Sequence, residues 1–150
     1  DHQALAFMLN HLGEALWRTG RLTEARRALT GALDLLASTA DDPYLHAQVE
    51  GNLGNVAYEE GDLDAAASRW QSALISMDGL GVVFDKIGLL NNLGGLAYAR
   101  ADYGGALDFF QESLELAHEL GDERGLQEAL HNIALMMVEH DGAERSEEDE

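Results

Sequence analysis

Apolar residues recur at intervals of three and four along most of the chain, which is the spacing of amphipathic helices. Leu9, Leu12 and Leu16 form one such run, and short polar or glycine-containing breaks separate it from the next. Leucine and alanine number 25 and 22, whereas valine, isoleucine and threonine together number 12, a balance that favours helix over strand. The pattern predicts an all-α chain of seven helices, near residues 2–19, 22–39, 43–60, 63–78, 82–100, 103–120 and 123–140.

The helical pattern repeats every forty residues. Residues 52–81 and 92–121 are identical at 11 of 30 positions, where chance would give about two. The spacing predicts repeats near residues 6–46, 47–86 and 87–126, followed by a half repeat over 127–140. Residues 141–150 carry mostly acidic charge without an apolar face, so we expect a disordered acidic tail there.

Each repeat carries a small residue where two helices must approach closely. Glycine recurs at one position of each first helix, and a large residue recurs on the second helix. We expect the large residues to fill the space between neighbouring helix pairs. The glycines are Gly13, Gly54 and Gly94, and the large residues are Leu29, Trp70 and Phe110.

These spacings resemble a known family. The run Leu90-x-x-Leu93-Gly94-x-x-Ala97 followed by Ala106-x-x-x-Phe110 is similar to the tetratricopeptide repeat, in a long variety of about 40 residues. Arrays of this variety occur in kinesin light chains, cell-polarity adaptors, bacterial peptide-sensing regulators and the sensor arms of bacterial signalling proteins. The resemblance implies a right-handed α-α superhelix that acts as a scaffold or sensor, binding protein or peptide in a groove lined by the first helices.

Carried over to this chain, the resemblance places polar and aromatic side chains in the groove. An asparagine row could pair with the backbone of an extended peptide, and an aromatic row could hold its side chains. The asparagines could equally join neighbouring helices, and the aromatic rings could pack the groove floor. The predicted groove residues are His11, Glu14, Trp17, Arg18, Asn52, Asn55, Tyr58, Asn91, Asn92, Tyr98, His131 and Asn132.

The net charge of -19 narrows the choice of partner. Lys86 is the only lysine, so phosphate neutralisation cannot drive nucleic-acid binding, and anionic membranes are disfavoured. No run of 18 apolar residues predicts a membrane span, and we expect a cytoplasmic protein. The acidity gives a modest preference for basic or amphipathic segments, although it could also serve solubility or reflect a salt-adapted host.

Motifs for catalysis are weak. Glu115/His118 and Glu128/His131 have the Glu-x-x-His spacing of di-iron bundles, but acidic residues are so frequent that about one such pair is expected by accident. Gly79-x-Gly81 lacks the third glycine of a dinucleotide fingerprint, and the chain contains no cysteine. The sequence predicts no enzyme, no cofactor and no metal, and a metal-dependent activity is the weakest alternative.

The last predicted helix has an apolar face without a partner. Leu130, Ile133, Met136 and Met137 lie where a following second helix would be expected. We expect either that the array was longer or that copies associate through this face. A spacer or homo-oligomerisation arm is therefore the main alternative to a partner-binding module within a larger regulatory protein.

Overall fold

The computed structural model describes residues 1–38 and 42–148, apart from the side chains of Phe84 and of residues 139–148. Over those residues the chain forms seven α-helices and no strand, as predicted. Six of the helices begin and end within three residues of the predicted bounds. The helices are α1 (His2–Arg18), α2 (Leu22–Ala37), α3 (Pro43–Glu59), α4 (Leu63–Leu80), α5 (Phe84–Ala99), α6 (Tyr103–Leu120) and α7 (Glu123–Glu148).

Aspartates cap several of the helices at their N-termini. The Asp42 carboxylate accepts a hydrogen bond from the Leu45 N–H at 2.8 Å, directly before Pro43 in the first turn of α3. The same cap forms at Asp62 and Asp102. Each carboxylate satisfies a backbone N–H that has no partner inside the helix, and its charge favours the helix N-terminus.

The last helix is longer than predicted. α7 continues to Glu148, whereas the sequence predicted a helix end at residue 140 and disorder from residue 141. Residues 141–148 are therefore helical, and only residues 149 and 150 of the expected tail lie outside the described residues. The predicted disorder was based on the missing apolar face of this segment. Its alanine, glutamate and arginine residues are nevertheless good helix formers.

The chain divides into two compact units. Unit 1 is Asp1–Val82, with helices α1 to α4, and unit 2 is Val83–Glu150, with helices α5 to α7. In unit 1, α1 pairs with α2, α3 pairs with α4, and α3 also contacts α1 and α2. Leu29, Val49 and Leu53 are fully buried in its core. In unit 2, α6 packs against α5 and α7, and Phe110 and Met136 are central to its core.

Glycines allow the two helices of each pair to approach closely. A Cβ added at Gly13 would lie 2.5 Å from Leu29 Cγ, and one at Gly94 would lie 2.5 Å from Phe110 Cε1. Each large side chain therefore covers the glycine of its own helix pair. The prediction that these side chains fill the space between neighbouring pairs holds for Phe110, which also packs with Met136 of α7. The missing Cβ gives each large side chain additional room inside its own pair.

Candidate functional site

The first helices of unit 1, α1 and α3, contact each other and carry seven of the predicted groove residues. We call these residues the inner face of unit 1. Some are exposed and the others are half-buried, so the face combines accessible and packed side chains. His11, Arg18 and Tyr58 are exposed, and Glu14, Trp17, Asn52 and Asn55 are half-buried.

The asparagines of this face bind other residues of unit 1. Asn52 Nδ2 donates to Asn10 Oδ1 at 2.9 Å, which joins α3 to α1. Asn55 Oδ1 accepts a hydrogen bond from Trp70 Nε1 at 3.1 Å, which joins α3 to α4. Of the two interpretations left open by the sequence, the joining of neighbouring helices therefore applies to Asn52 and Asn55.

The charged residues of the inner face are partly paired. Arg18 Nη2 lies 2.7 Å from Glu14 Oε1, and His11 Nδ1 lies 3.9 Å from the other oxygen of Glu14. Glu59, one residue beyond Tyr58, is exposed and has no ion pair with any described residue. It is therefore an acidic group available to a ligand at this end of α3.

A cleft of about 430 Å³ lies where α1 and α3 end, lined by Trp17, Arg18, Gly20, Leu22 and Glu59. It combines an aromatic ring, an aliphatic side chain and charges of both signs. An aromatic ring beside a carboxylate suits a cationic side chain, which can stack on the ring and pair with the acid. At the start of α2, a hydrogen bond from the Arg21 guanidinium holds the pKa of Glu24 below its usual value.

In unit 2, α5 and α7 form the corresponding surface, which we call the inner face of unit 2. The five predicted residues on it differ widely in exposure. Asn92 and His131 are exposed, Tyr98 and Asn132 are half-buried, and Asn91 is buried. Tyr98 packs against Tyr103 with ring centroids 5.6 Å apart, so this aromatic side chain is partly engaged within the unit.

Asn91 is the buried polar residue of this face. It is 6% exposed, and neither Nδ2 nor Oδ1 of its side chain has a hydrogen-bond partner among the described residues. Ser113 Oγ on α6 is the other buried side-chain group without one. Buried polar groups are almost always paired, so each such group needs a physical account.

Comparison with protein-family models assigns both units to one family. Residues 4–74 and residues 87–120 match two separate models, and each model describes the tetratricopeptide repeat. The chain is a tetratricopeptide repeat protein. The matched segments contain the glycines at 13, 54 and 94 and the large residues packed on them, which are the features that carried the resemblance.

Tetratricopeptide repeats generally mediate protein–protein interactions and are generally non-catalytic scaffolds. A search of curated proteins finds no significant match to this tetratricopeptide repeat protein. Membership of this family shows the fold and the general role of the chain. The class of partner is inferred from the side chains on the two inner faces.

The Glu-x-x-His pairs do not assemble into a metal centre within the described residues, where no three histidine or acidic side chains are placed to share an ion. Glu115 and His118 line an open cleft of about 410 Å³ in unit 2 with Leu114, Glu119 and Leu126. His131 lies on the inner face instead. No helix in the described part of the chain is long and apolar enough to cross a membrane.

The apolar face of α7 is smaller than the sequence predicted. Met136 is buried against Ala106 and Phe110, and Ile133 is partly buried beside it. The expectation that Met136 stays bare was wrong, because α6 covers that side of the helix. Leu130 and Met137 remain 53% and 64% exposed.

Two features of the site were not predicted from the sequence. The first is Asn10 as the partner of Asn52, because the forty-residue alignment placed His11 at the position equivalent to Asn52. The second is the contribution of Gly20 and Leu22 to the cleft beside Trp17. This turn lies close to Trp17 in the sequence, and that proximity could have indicated the second feature.

Proposed function

We propose that this protein is a non-catalytic module of a regulatory protein that binds an extended or helical peptide segment on an inner face of one unit. The observation that carries the proposal is the inner face of unit 1. It presents the exposed His11, Arg18 and Tyr58 beside an open cleft, on the helices that line the groove in this family. Exposed aromatic and arginine side chains beside a cleft are typical of residues that contribute most to protein binding.

The cleft of unit 1 supports a basic or amphipathic partner. Trp17 provides the aromatic wall, and Glu59 provides a carboxylate that has no ion pair among the described residues, while Arg18 pairs with Glu14. The excess of acidic residues over the whole chain attracts the same class of ligand and disfavours nucleic acid and acidic membranes. A cytoplasmic location belongs to the same proposal.

Selection from a random dodecapeptide library on the immobilised protein tests the proposal. We expect selected peptides to be enriched in lysine or arginine and to bind with micromolar affinity by calorimetry. A His11→Ala/Tyr58→Ala variant should bind about tenfold more weakly, since it removes two exposed contacts of the inner face. Failure to select any binder, or binding unaffected by this variant, would reject the proposal.

A matched control separates the inner face from the rest of unit 1. Thr30 and Asp34 are exposed on α2, and the Thr30→Ala/Asp34→Ala variant should bind the selected peptides as the wild type does. Glu59→Gln should lower affinity for lysine- or arginine-containing peptides about threefold and leave neutral peptides unaffected, which is the scale of an exposed ion pair. Circular dichroism should show the same helix content in all three variants.

A second function is favoured by the exposed residues of α7. Leu130 and Met137 could pair with the same helix of another copy and make the chain a homo-oligomerisation arm or spacer. Light scattering over a hundredfold range of concentration should then show a rising mass that Met137→Glu abolishes. A constant monomer mass would exclude this function.

A further inference from the structure

We propose that two copies of this chain associate through the exposed apolar face of α1, as an antiparallel pair of helices. This inference goes beyond the proposed function, because it concerns residues of unit 1 outside the inner face and a partner that is a second copy of the chain. We call this surface the α1 seam, and it consists of Leu5, Met8, Leu12 and Ala15.

The first argument is the spacing of the seam residues. Leu5, Met8 and Leu12 are 46%, 65% and 50% exposed, and Ala15 is exposed one turn further along α1. Their intervals of three, four and three are those of the apolar seam in a two-stranded coiled coil. Contiguous exposed apolar side chains at this spacing are typical of a surface that another helix covers.

The second argument comes from α3, where the same positions of the repeat are buried. A shift of 41 residues carries the last three seam residues to Val49, Leu53 and Val56. These three side chains are at most 1% exposed and share one core with Leu29 and Ala32 of α2. On α3 this face therefore packs against a helix, whereas on α1 none of the described residues covers it.

The third argument is that the seam is complementary to itself when two copies run antiparallel. With Met8 opposite Leu12 of the other copy, Leu5 lies opposite the small Ala15, so every layer contains at least one large apolar side chain. A parallel pair would set Ala15 against Ala15 and leave a gap. The antiparallel direction also brings helix ends of opposite partial charge together.

The fourth argument is charge. With histidine counted as neutral, α1 has one acidic residue, Glu14, and one basic residue, Arg18, so it is neutral in a chain of net charge -19. By contrast, α7 has seven acidic and two basic residues, a net charge of -5. Two α7 helices therefore repel each other, whereas two α1 helices do not. The antiparallel pair also brings Asp1 of each copy towards Arg18 of the other, which favours a second copy as the occupant of the seam.

Light scattering with a matched pair of substitutions tests the inference. The mass of the wild type should rise from that of one chain towards twice that value between about 5 and 500 µM protein. Met8→Glu should weaken the association at least about thirtyfold, because it places a carboxylate in the apolar seam. Met137, 64% exposed on α7, provides the control, and Met137→Glu should leave the association unchanged. A constant monomer mass for the wild type, or a mass that only Met137→Glu lowers, would overturn the inference.

An exchange of charges tests the antiparallel arrangement. Met8→Glu and Leu12→Lys should each be monomeric alone, and an equimolar mixture should form a one-to-one dimer, because the two new charges face each other only in this arrangement. Circular dichroism should show wild-type helix content for both variants, since both positions are exposed. A mixture that stays monomeric while the wild type dimerises would contradict the antiparallel pair. Neither result depends on whether a peptide binds the inner face.

Discussion

The helix pairs α3–α4 and α5–α6 share eleven identical positions over thirty, yet they differ in how they satisfy their buried polar groups. In α3–α4, Trp70 Nε1 donates to the Gly51 carbonyl and to Asn55 Oδ1. In α5–α6 the large residue is Phe110, whose side chain has no N–H group. The positions of Gly51 and Asn55 are taken there by Asn91 and Gly95.

This difference teaches that one backbone arrangement can be stabilised in two ways. The first pair uses its polar groups to join α3 to α4, so fewer of them remain for a ligand. The second pair relies on apolar packing of Phe110, and the Asn91 carboxamide on α5 has no partner in the part of the chain that the structure describes. Buried unpaired groups lower stability, and natural proteins often accept that cost at functional sites.

The largest expected effect comes from filling the space between Gly54 and the indole ring of Trp70. Gly54→Ala would bring its methyl group into contact with Trp70 Cδ1 and Nε1, and the two hydrogen bonds of the indole oppose its displacement. We expect a loss of about 3 kcal/mol in the free energy of unfolding. Gly94→Ala should cost less, about 2 kcal/mol, because Phe110 has no hydrogen bond to hold it in place.

Urea denaturation followed by circular dichroism measures both losses. Gly88→Ala is the control, since an added methyl group meets nothing there and the helix should gain about 0.5 to 1 kcal/mol. An equal loss for Gly54→Ala and Gly94→Ala would show that the hydrogen bonds of Trp70 do not distinguish the two pairs.

Trp70→Phe makes the first pair resemble the second. The Gly51 carbonyl and Asn55 Oδ1 lose their donor, and we expect a cost of about 2 kcal/mol. Thermal and urea unfolding provide the measurement. Trp17→Phe, at a half-buried position of the same unit, is the control and should cost less than half as much. If Trp70→Phe leaves the free energy of unfolding unchanged, water replaces the indole N–H as the donor to the Gly51 carbonyl and Asn55 Oδ1.

The turns between the paired helices provide a smaller contrast. Gly61 has a φ of 83°, whereas Ala101 takes a φ of 60° at the corresponding position before α6. A side chain in this left-handed region costs roughly 1 kcal/mol. Ala101→Gly should raise the free energy of unfolding by up to about 1 kcal/mol, and Gly61→Ala should lower it similarly. Denaturation experiments should give changes of opposite sign in the free energy of unfolding for the two substitutions. Changes of the same sign would contradict the backbone strain at Ala101.

The smallest expected effect is a pH dependence in unit 1. A hydrogen bond from Arg21 lowers the pKa of Glu24 below its ordinary value. Because the folded-state pKa is the lower one, the contribution is present above the unfolded pKa of about 4.3 and is lost as the pH falls through the folded pKa. Glu24→Gln should remove it, so the two melting temperatures should converge as the solution is acidified. A constant difference would contradict this contribution.

The sequence predicted the helices closely because leucine and alanine spacing, aspartate caps and glycine ends act locally. Gly81, with a φ of 67°, ends α4 where the repeat alignment placed a break. The repeat also identified the glycines and the large residues packed against them. For residues 141–148, charge and composition predicted disorder, whereas α7 continues to Glu148. That prediction did not include the helix propensity of alanine, glutamate and arginine.

The hydrogen bonds of the inner faces could not be predicted in the same way. Whether Asn52 reaches Asn10 or His11 depends on a shift of one residue between neighbouring helices, which spacing along one helix does not encode. Asn91 is 6% exposed, and the burial of one side chain on a helix face depends on how the helices pack together. Sequence periodicity places a side chain on a face, but its partners follow from packing in three dimensions.

Both tryptophans of the chain, Trp17 and Trp70, lie in unit 1. Trp70 is 3% exposed and Trp17 is half-buried, so exposure to water on unfolding will shift the emission of the indoles. Fluorescence excited selectively at tryptophan therefore reports the melting of unit 1 alone, whereas circular dichroism averages over both units. The separation between the two curves gives a label-free measure of whether the units unfold together.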